Sequence, residues 1–244
     1  MIKPWLKLFR VVNLPTVPGD VLVGASIVMA FSGMSISFGN LAAASAASVL
    51  VYLYGLLDND ILGSSSDPGE IRPLASGEIS LTSARIAKSL VLCGILAVGV
   101  FVDLPREWFV AVFVILVSAV LYNRTKSAFF MGLCRAFNVF AGIASQWTVA
   151  PLGNKAFAIS AVAALLVWFG YIYFVTRYSK GEEFNESKRV RVGKLVGAVV
   201  YVQLAALIAC AVANPECNSL LIAGLAMLFL LRILRRMAPY VSAS

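Results

Sequence analysis

Eight apolar runs divide the chain, each long enough to cross the roughly 30 Å hydrocarbon core of a bilayer as a helix. They lie near residues 17–38, 40–61, 84–102, 107–122, 128–150, 156–176, 194–214 and 219–237. Most connections between them are short, which makes sequence neighbours antiparallel in a helical bundle. Two are longer, residues 58–83 and 177–193. The pattern predicts an all-α integral membrane protein with about eight transmembrane helices. No polar stretch exceeds about thirty residues, too few for a separate soluble domain, so residues 1–244 read as one domain.

The opening "MIKPWLKLFR" is basic and precedes an apolar run, and "LAAASAAS" offers small residues further on, as in a signal peptide. The first run is too long for a signal-peptide core and the right length for a span. It reads as an uncleaved first helix.

Composition supports the membrane assignment. Of 244 residues, 60% are hydrophobic and 13% charged, against about a quarter charged in soluble domains. The mean hydropathy is +0.88. The net charge of +8 does not point to nucleic acid, because the basic residues are dispersed among loops without interleaved aromatics. With the N-terminus inside, seventeen of the twenty Lys and Arg residues fall on one side. Only Arg106 and Lys155 fall on the other, and Arg135 lies within a span. Positive charge collects on the cytoplasmic side, so both termini and both long loops are expected there, at the cell (inner) membrane. The chain has no histidine, and its four cysteines show no paired spacing. That speaks against zinc sites of the Cys/His kind and excludes histidine-based catalysis.

Eight of the twelve acids sit in the two long loops: Asp58, Asp60, Asp67, Glu70 and Glu78 in the first, and Glu182, Glu183 and Glu186 in the second. Two acidic clusters, each mixed with cations, over an apolar interior suit one chemistry. Magnesium takes a few carboxylates and completes its shell with phosphate oxygens and water. An isoprenoid diphosphate can place its head between the clusters and its tail among the helices, and metal and arginine stabilise the departing diphosphate.

Short motifs carry a family resemblance. "NDILGSSSD" (Asn59 to Asp67) followed by "RPLASGEIS" (Arg72 to Ser80) resembles the first aspartate motif of the UbiA superfamily of intramembrane prenyltransferases. That motif reads N-D-x-x-D-x-x-x-D, then R-P-x-x-x-G-x-x-S. "RVVNLPT", with Arg10 and Asn13, resembles the segment before the family's first span. "YNRTK", with Tyr122 and Lys126, resembles the segment between spans 4 and 5. "GLCRAFNVFAG" resembles a span-5 segment of a branch often found beside secondary-metabolite genes. Gly63 stands at the family's middle aspartate, and the second aspartate motif is represented by "SKGEEFNES". The resemblance implies a UbiA-like fold and a Mg²⁺-dependent enzyme that moves a prenyl group from an isoprenoid diphosphate to an unidentified acceptor. It implies Asn59, Asp60 and Asp67 as catalytic residues, with Asp60, Asp67, Glu182, Glu183 and Glu186 around metal. Arg72 and Lys126 would bind diphosphate, and Asn13, Arg135 and Asn138 would line the substrate pocket.

Other readings of the same residues stay open. Asp60 at a helix end also marks a membrane surface. Asp67-Pro68-Gly69-Glu70 also reads as a capped helix start. Asp58 lies two residues from Asp60 and faces away from it on a helix. Arg135, about 10 Å into its span at 1.5 Å per residue, either faces a cavity with Asn138 or snorkels to the surface. Trp168, Tyr171, Tyr173 and Phe174 line a prenyl pocket or form an interfacial belt. For the whole chain, the alternatives are a non-catalytic member that binds isoprenoid lipid, for which Gly63 speaks, and a small-solute transporter. Transporters place ionisable groups near the midplane, whereas these acids gather at one face.

Overall fold

The computed structural model describes residues 2–64, 72–181 and 186–242. Among the described residues there are nine α-helices and no strand. A short α1 (Ile2–Leu8) leads through a 3₁₀ segment (Val11–Thr16) into α2 (Pro18–Ser32). There follow α3 (Phe38–Gly63), α4 (Leu81–Phe101), α5 (Arg106–Thr125), α6 (Ala128–Ala144), α7 (Lys155–Ser179), α8 (Glu186–Ala213) and α9 (Asn218–Ser242). Seven segments are long and apolar enough to cross a membrane. The eighth expected span, α6, is an apolar helix of 17 residues.

The bundle is built around α2. Every residue from Gly19 to Met29 is buried, as expected of a helix apolar on all sides. It packs on α3, α6, α7, α8 and α9. Its crossing with α6 is the closest fit in the molecule to a backbone-on-backbone contact. A Cβ at Gly24 would lie 2.1 Å from the Val139 carbonyl oxygen, and one at Gly142 would lie 2.2 Å from the Val21 carbonyl oxygen. The two glycines are reciprocal, so neither helix can carry even a methyl there. The outer helices present exposed apolar side chains, among them Phe113, Phe174 and Val212, as a lipid-facing surface requires.

Several boundaries differ from the sequence expectation. The first run was expected to reach residue 38, but α2 stops at Ser32 because Gly33 takes a left-handed conformation with φ 62°. Ser37 then caps α3, its Oγ accepting from the Asn40 N–H at 3.2 Å. The fifth run was expected over 128–150. The helix ends at Ala144, and buried Gln146 turns back to bond both backbone groups of Ser37, at 2.8 and 3.2 Å. The loop expected over 177–193 is mostly helix, since α7 runs to Ser179 and α8 begins at Glu186.

At the end of the bundle carrying α1, a second core of Leu8, Leu57, Leu74, Ile79 and Ala84 is covered by Trp5 and Phe9. It anchors the turn 72–80. Pro73 and Leu74 are buried, the Ile79 N–H bonds the Pro73 carbonyl at 3.1 Å, and Gly77 takes φ 78°. Ser80 then caps α4, accepting from the Ser83 N–H at 3.1 Å. Each fixed position of R-P-x-x-x-G-x-x-S thus has a local task. The proline and glycine shape the turn, the serine starts the next helix, and the arginine is left at its mouth.

Candidate functional site

Two polar clusters lie on the inner side of the bundle. The first forms at the end of α3. Asp58 and Asp60 are both buried, and two residues apart on a helix they point in different directions. Asp58 pairs with Lys88 of α4 and accepts from Asn123 Nδ2 of α5 at 2.8 Å. It ties three helices together and faces away from the site, as its spacing predicts.

Asp60 faces two arginines. Arg72 Nη1 donates to its Oδ1 at 3.4 Å, Asn59 Nδ2 donates to the same oxygen at 3.2 Å, and Arg10 Nη2 lies 3.9 Å away. The Asn59 side-chain oxygen Oδ1 accepts from Lys126 Nζ at 2.6 Å. Oδ1 therefore takes every contact of the carboxylate, and Oδ2 takes none among the described residues. Two arginines from separate segments meet one carboxylate, and a lysine from a third bonds the asparagine beside it. Arg10 and Lys126 both hold left-handed backbone conformations, φ 44° and 51°, costly for residues with a Cβ. Arg10 closes the turn from α1 into the 3₁₀ segment, and Lys126 ends α5, its N–H bonding the Tyr122 carbonyl at 2.7 Å.

Charge and oxygen donors decide what this cluster can hold. Arg10 and Arg72 face Asp60, and Lys126 bonds the neighbouring Asn59. Guanidinium forks match phosphate oxygens. No group of three acidic or sulfur side chains that could hold a metal occurs among the described residues. The uncommitted Oδ2 of Asp60 fits a single carboxylate ligand of Mg²⁺, an ion that completes its shell with phosphate oxygens and water.

Of the remaining sequence-based metal candidates, only Glu186 lies within the described residues. Glu186 is exposed in the first turn of α8. Asp67, Glu182 and Glu183 lie outside the described residues. Among the described residues α3 ends at Gly63, the position of the family's middle aspartate.

The second cluster lies deeper. Ser48 of α3, eleven residues before Asn59 and so about 16 Å along the helix, donates to Asn138 Oδ1 at 2.6 Å. Asn138 Nδ2 donates to the Val17 carbonyl at 2.9 Å and to Asp20 Oδ2 at 3.1 Å. Asp20 is 0% exposed. Its Oδ1 accepts from Trp168 Nε1 and Gln203 Nε2, both at 2.7 Å, and from Arg135 Nη2 at 3.1 Å. Arg135 Nε lies 3.0 Å from Oδ2 without the alignment of a hydrogen bond. Arg135 and Asn138 share a partner, the Asp20 carboxylate. Arg135 does not snorkel. Tyr52 of α3, half-buried, lies one turn from Ser48 on the way to Asn59, near Asn13, Arg10 and Arg135.

The aromatic residues of α7 divide. Trp168 is a member of the deep cluster, the Tyr171 hydroxyl donates to the Leu195 carbonyl at 2.7 Å, and Phe174 is exposed on the outer surface.

Sequence reasoning did not single out Asp20, Gln203 or Tyr52. The signal for Asp20 was an acid three residues inside an apolar run, a place where charge is costly without a partner. Nothing local marks Gln203.

Comparison with known proteins agrees on architecture. No family model matches the sequence, and no curated protein matches it. Solved structures do match. A UbiA homolog from Archaeoglobus fulgidus bound to GPP and Mg²⁺ superimposes with a TM-score of 0.59 at 16% identity, covering 93% of this chain and 86% of that one. The same homolog bound to Cd²⁺ gives 0.58 at 16% identity, over 98% and 95%. A digeranylgeranylglyceryl phosphate synthase gives 0.55 at 18% identity, over 100% and 93%. The chain is an all-α, multi-pass membrane bundle. Its fold is that of the UbiA homologs.

Proposed function

We propose that the protein is a membrane prenyltransferase acting on an isoprenoid diphosphate. The observation that carries this reading is the cluster at the end of α3, where Arg10 and Arg72 converge on one oxygen of Asp60, Lys126 bonds the adjacent Asn59, and the other Asp60 oxygen has no contact among the described residues. Arg10, Arg72 and Lys126 bind the diphosphate oxygens. Asp60, assisted by Asn59 and by Asp67, Glu182, Glu183 and Glu186 of the adjoining segments, holds the cation end of the headgroup. Bound Mg²⁺ supplies charge neutralisation of the diphosphate. In the reaction, the bond between C1 of the prenyl chain and the diphosphate oxygen breaks, and its electron pair leaves with the diphosphate. The acceptor's nucleophile bonds to C1 and the acceptor loses a proton. The apolar interior shields the allylic cation from water. Asn13, Arg135 and Asn138 lie on the acceptor side.

The fold likeness to a UbiA homolog whose structure holds GPP and Mg²⁺, and to a digeranylgeranylglyceryl phosphate synthase, supports the substrate class. The test is incubation of purified protein with labelled isoprenoid diphosphates of several lengths, with and without Mg²⁺, and an extract of candidate acceptors. A labelled product that needs Mg²⁺ is expected. Mg²⁺-dependent binding without product would favour the second reading, a lipid-binding member without turnover. Gly63 is the observation for that reading, since α3 ends there with no carboxylate at the position.

The basic end of the bundle is proposed to face the cytoplasm. A cysteine replacing Ala75 should resist an impermeant thiol reagent in intact cells, and one replacing Gly153, on an exposed turn, should react. Reversed labelling would overturn the placement.

A further inference from the structure

Asp58 does not face the Asp60 cluster, yet it is bonded to two helices beside it. Its Oδ1 pairs with Lys88 of α4, and its Oδ2 accepts from Asn123 Nδ2 of α5 at 2.8 Å. Asp58 and Asn123 are both buried. The same Asn123 Nδ2 donates to the Gly55 carbonyl of α3 at 3.0 Å. The Lys88 ammonium also sits over the Tyr54 ring, 4.9 Å from its centroid. Tyr54 and Asp58 are four residues apart and share a face of α3.

The neighbours of these residues in sequence belong to the headgroup cluster. Asn59 follows Asp58 on α3, and Lys126 follows Asn123 by three residues, at the end of α5. Consecutive residues of α3 therefore reach the same last turn of α5. Asp58 does so through the buried bond to Asn123, and Asn59 through the exposed bond to Lys126. An exposed polar contact to a flexible lysine stem competes with water and fixes little. A buried bond between a carboxylate and an amide is directional and shielded, so it sets the rotation of α5 against α3.

Packing alone leaves that rotation loose. A Cβ at Gly55 would meet only the Ala119 Cβ, at an ordinary 3.7 Å. This is a smooth contact of small groups, unlike the crossing of α2 and α6, where Gly24 and Gly142 meet backbone. Beyond Asn123 the chain has little freedom. The Lys126 N–H bonds the Tyr122 carbonyl at 2.7 Å, and its backbone is held at φ 51°. The rotation of α5 thus decides where the Lys126 stem departs. Asp58 and Lys88 carry opposite charges, so the pair adds no net charge beside the cluster and acts on it through geometry.

We propose that Asp58 and Asn123 are positioning residues that fix α5 on α3 and so aim Lys126 at the diphosphate. The inference rests on the prenyl-transfer reading for the identity of the ligand.

The test is a double-variant cycle in purified full-length protein, below the thermal midpoint of every variant. Geranyl diphosphate and inorganic diphosphate, each with Mg²⁺, are titrated separately by calorimetry. Asn123→Leu should weaken both ligands by roughly fivefold to thirtyfold, as Lys126→Ala should. Adding Asn123→Leu to Lys126→Ala should weaken them by no more than about a further twofold, because residues that act through one another do not add. General loosening of the bundle, by contrast, would add to the loss from Lys126→Ala. Asp58→Leu with Lys88→Met removes both charges together and takes the place of Asn123→Leu in the cycle should that variant fail to fold. Affinity in the folded variant equal to that of the unaltered protein would overturn the proposal, and so would losses that multiply with that of Lys126→Ala. Absence of binding of either ligand to the unaltered protein would overturn it together with the prenyl-transfer reading. If inorganic diphosphate gives the expected cycle and geranyl diphosphate does not bind, the positioning stands and the prenyl-transfer reading falls.

Discussion

The Asp60 and Asp20 clusters are both a buried carboxylate facing arginine, and they are built on opposite principles. Asp60 engages one oxygen with loose contacts of 3.2 to 3.9 Å and leaves the other open. Asp20 has both oxygens engaged, and three of its five contacts come from neutral or charged donors at 3.0 Å or less. Asp60 meets two arginines from separate segments. Around Asp20 one Arg balances one Asp and the rest is dipoles. A carboxylate left half-bonded is prepared for something that arrives. One that is fully bonded and charge-balanced is part of the frame. Burial alone does not separate the two, because both are nearly inaccessible. The number of uncommitted oxygens does.

The comparison can be broken most forcefully at Asp20. Asp20→Leu leaves Arg135 buried without its counter-ion, and losing one partner of such a pair costs about 3–5 kcal/mol. Thermal unfolding in detergent should show a large drop, recovered in the double variant Asp20→Leu with Arg135→Met. A single variant as stable as the parent would show that the deep cluster is not part of the frame.

Asp60→Asn should do the reverse. It keeps the shape and the Oδ1 contact with Arg72, so the thermal midpoint should stay within a few degrees. Turnover, or Mg²⁺-dependent geranyl diphosphate binding, should fall by at least about tenfold, the scale of one lost charged contact of about 1.5–3 kcal/mol. Full activity in Asp60→Asn would move the chemistry elsewhere.

Lys126 separates charge from conformation. Its left-handed backbone suits glycine better than any residue with a Cβ, by roughly 1 kcal/mol. Lys126→Ala and Lys126→Gly should lose diphosphate affinity equally, roughly fivefold to thirtyfold by binding titration, while Lys126→Gly unfolds at the higher temperature. Unequal affinities would mean that the backbone, not the ammonium group, matters at this position.

The smallest expected effect sharpens the site itself. Gly63 is helical and has no positive φ, so Gly63→Asp meets no backbone objection. A second carboxylate one turn from Asp60 should lower the Mg²⁺ concentration for half-maximal geranyl diphosphate binding by a few fold. An unchanged or higher requirement, in a folded variant, would show that Gly63 does not mark a missing ligand.

The sequence made the bundle legible because hydropathy over about twenty residues is nearly sufficient to find a span. It misled where helices leave the apolar layer. The charged start of α8, "ESKRVRVGK", reads as loop by hydropathy although it is helical. The run 128–150 stays apolar through Trp147 and Val149, and what breaks it is Gln146 bonding Ser37 more than a hundred residues away. The Asp60 cluster was legible in part. Asn59, Asp60, Arg72 and Lys126 come together as their motifs suggest. Arg10 joins them through a turn whose left-handed residue carries no sequence mark. Asp58 turns away from Asp60, as helical spacing alone indicates. The deep cluster was half visible: the depth of Arg135 demanded a partner, but finding Asp20 required the register of α2 on α6. That register is set by a glycine-on-glycine crossing that no local pattern reveals.

That same distance in sequence has a consequence for how the protein is made. Asp20 emerges from the ribosome 115 residues before Arg135 and 183 before Gln203. At about 5–20 residues per second, the first span waits on the order of 6–23 s for its counter-ion and longer for its last donor. During that interval it carries a bare carboxylate that the hydrocarbon would reject. The first helix written is therefore among the last to settle, and the protein closes around its own beginning only when α8 has arrived.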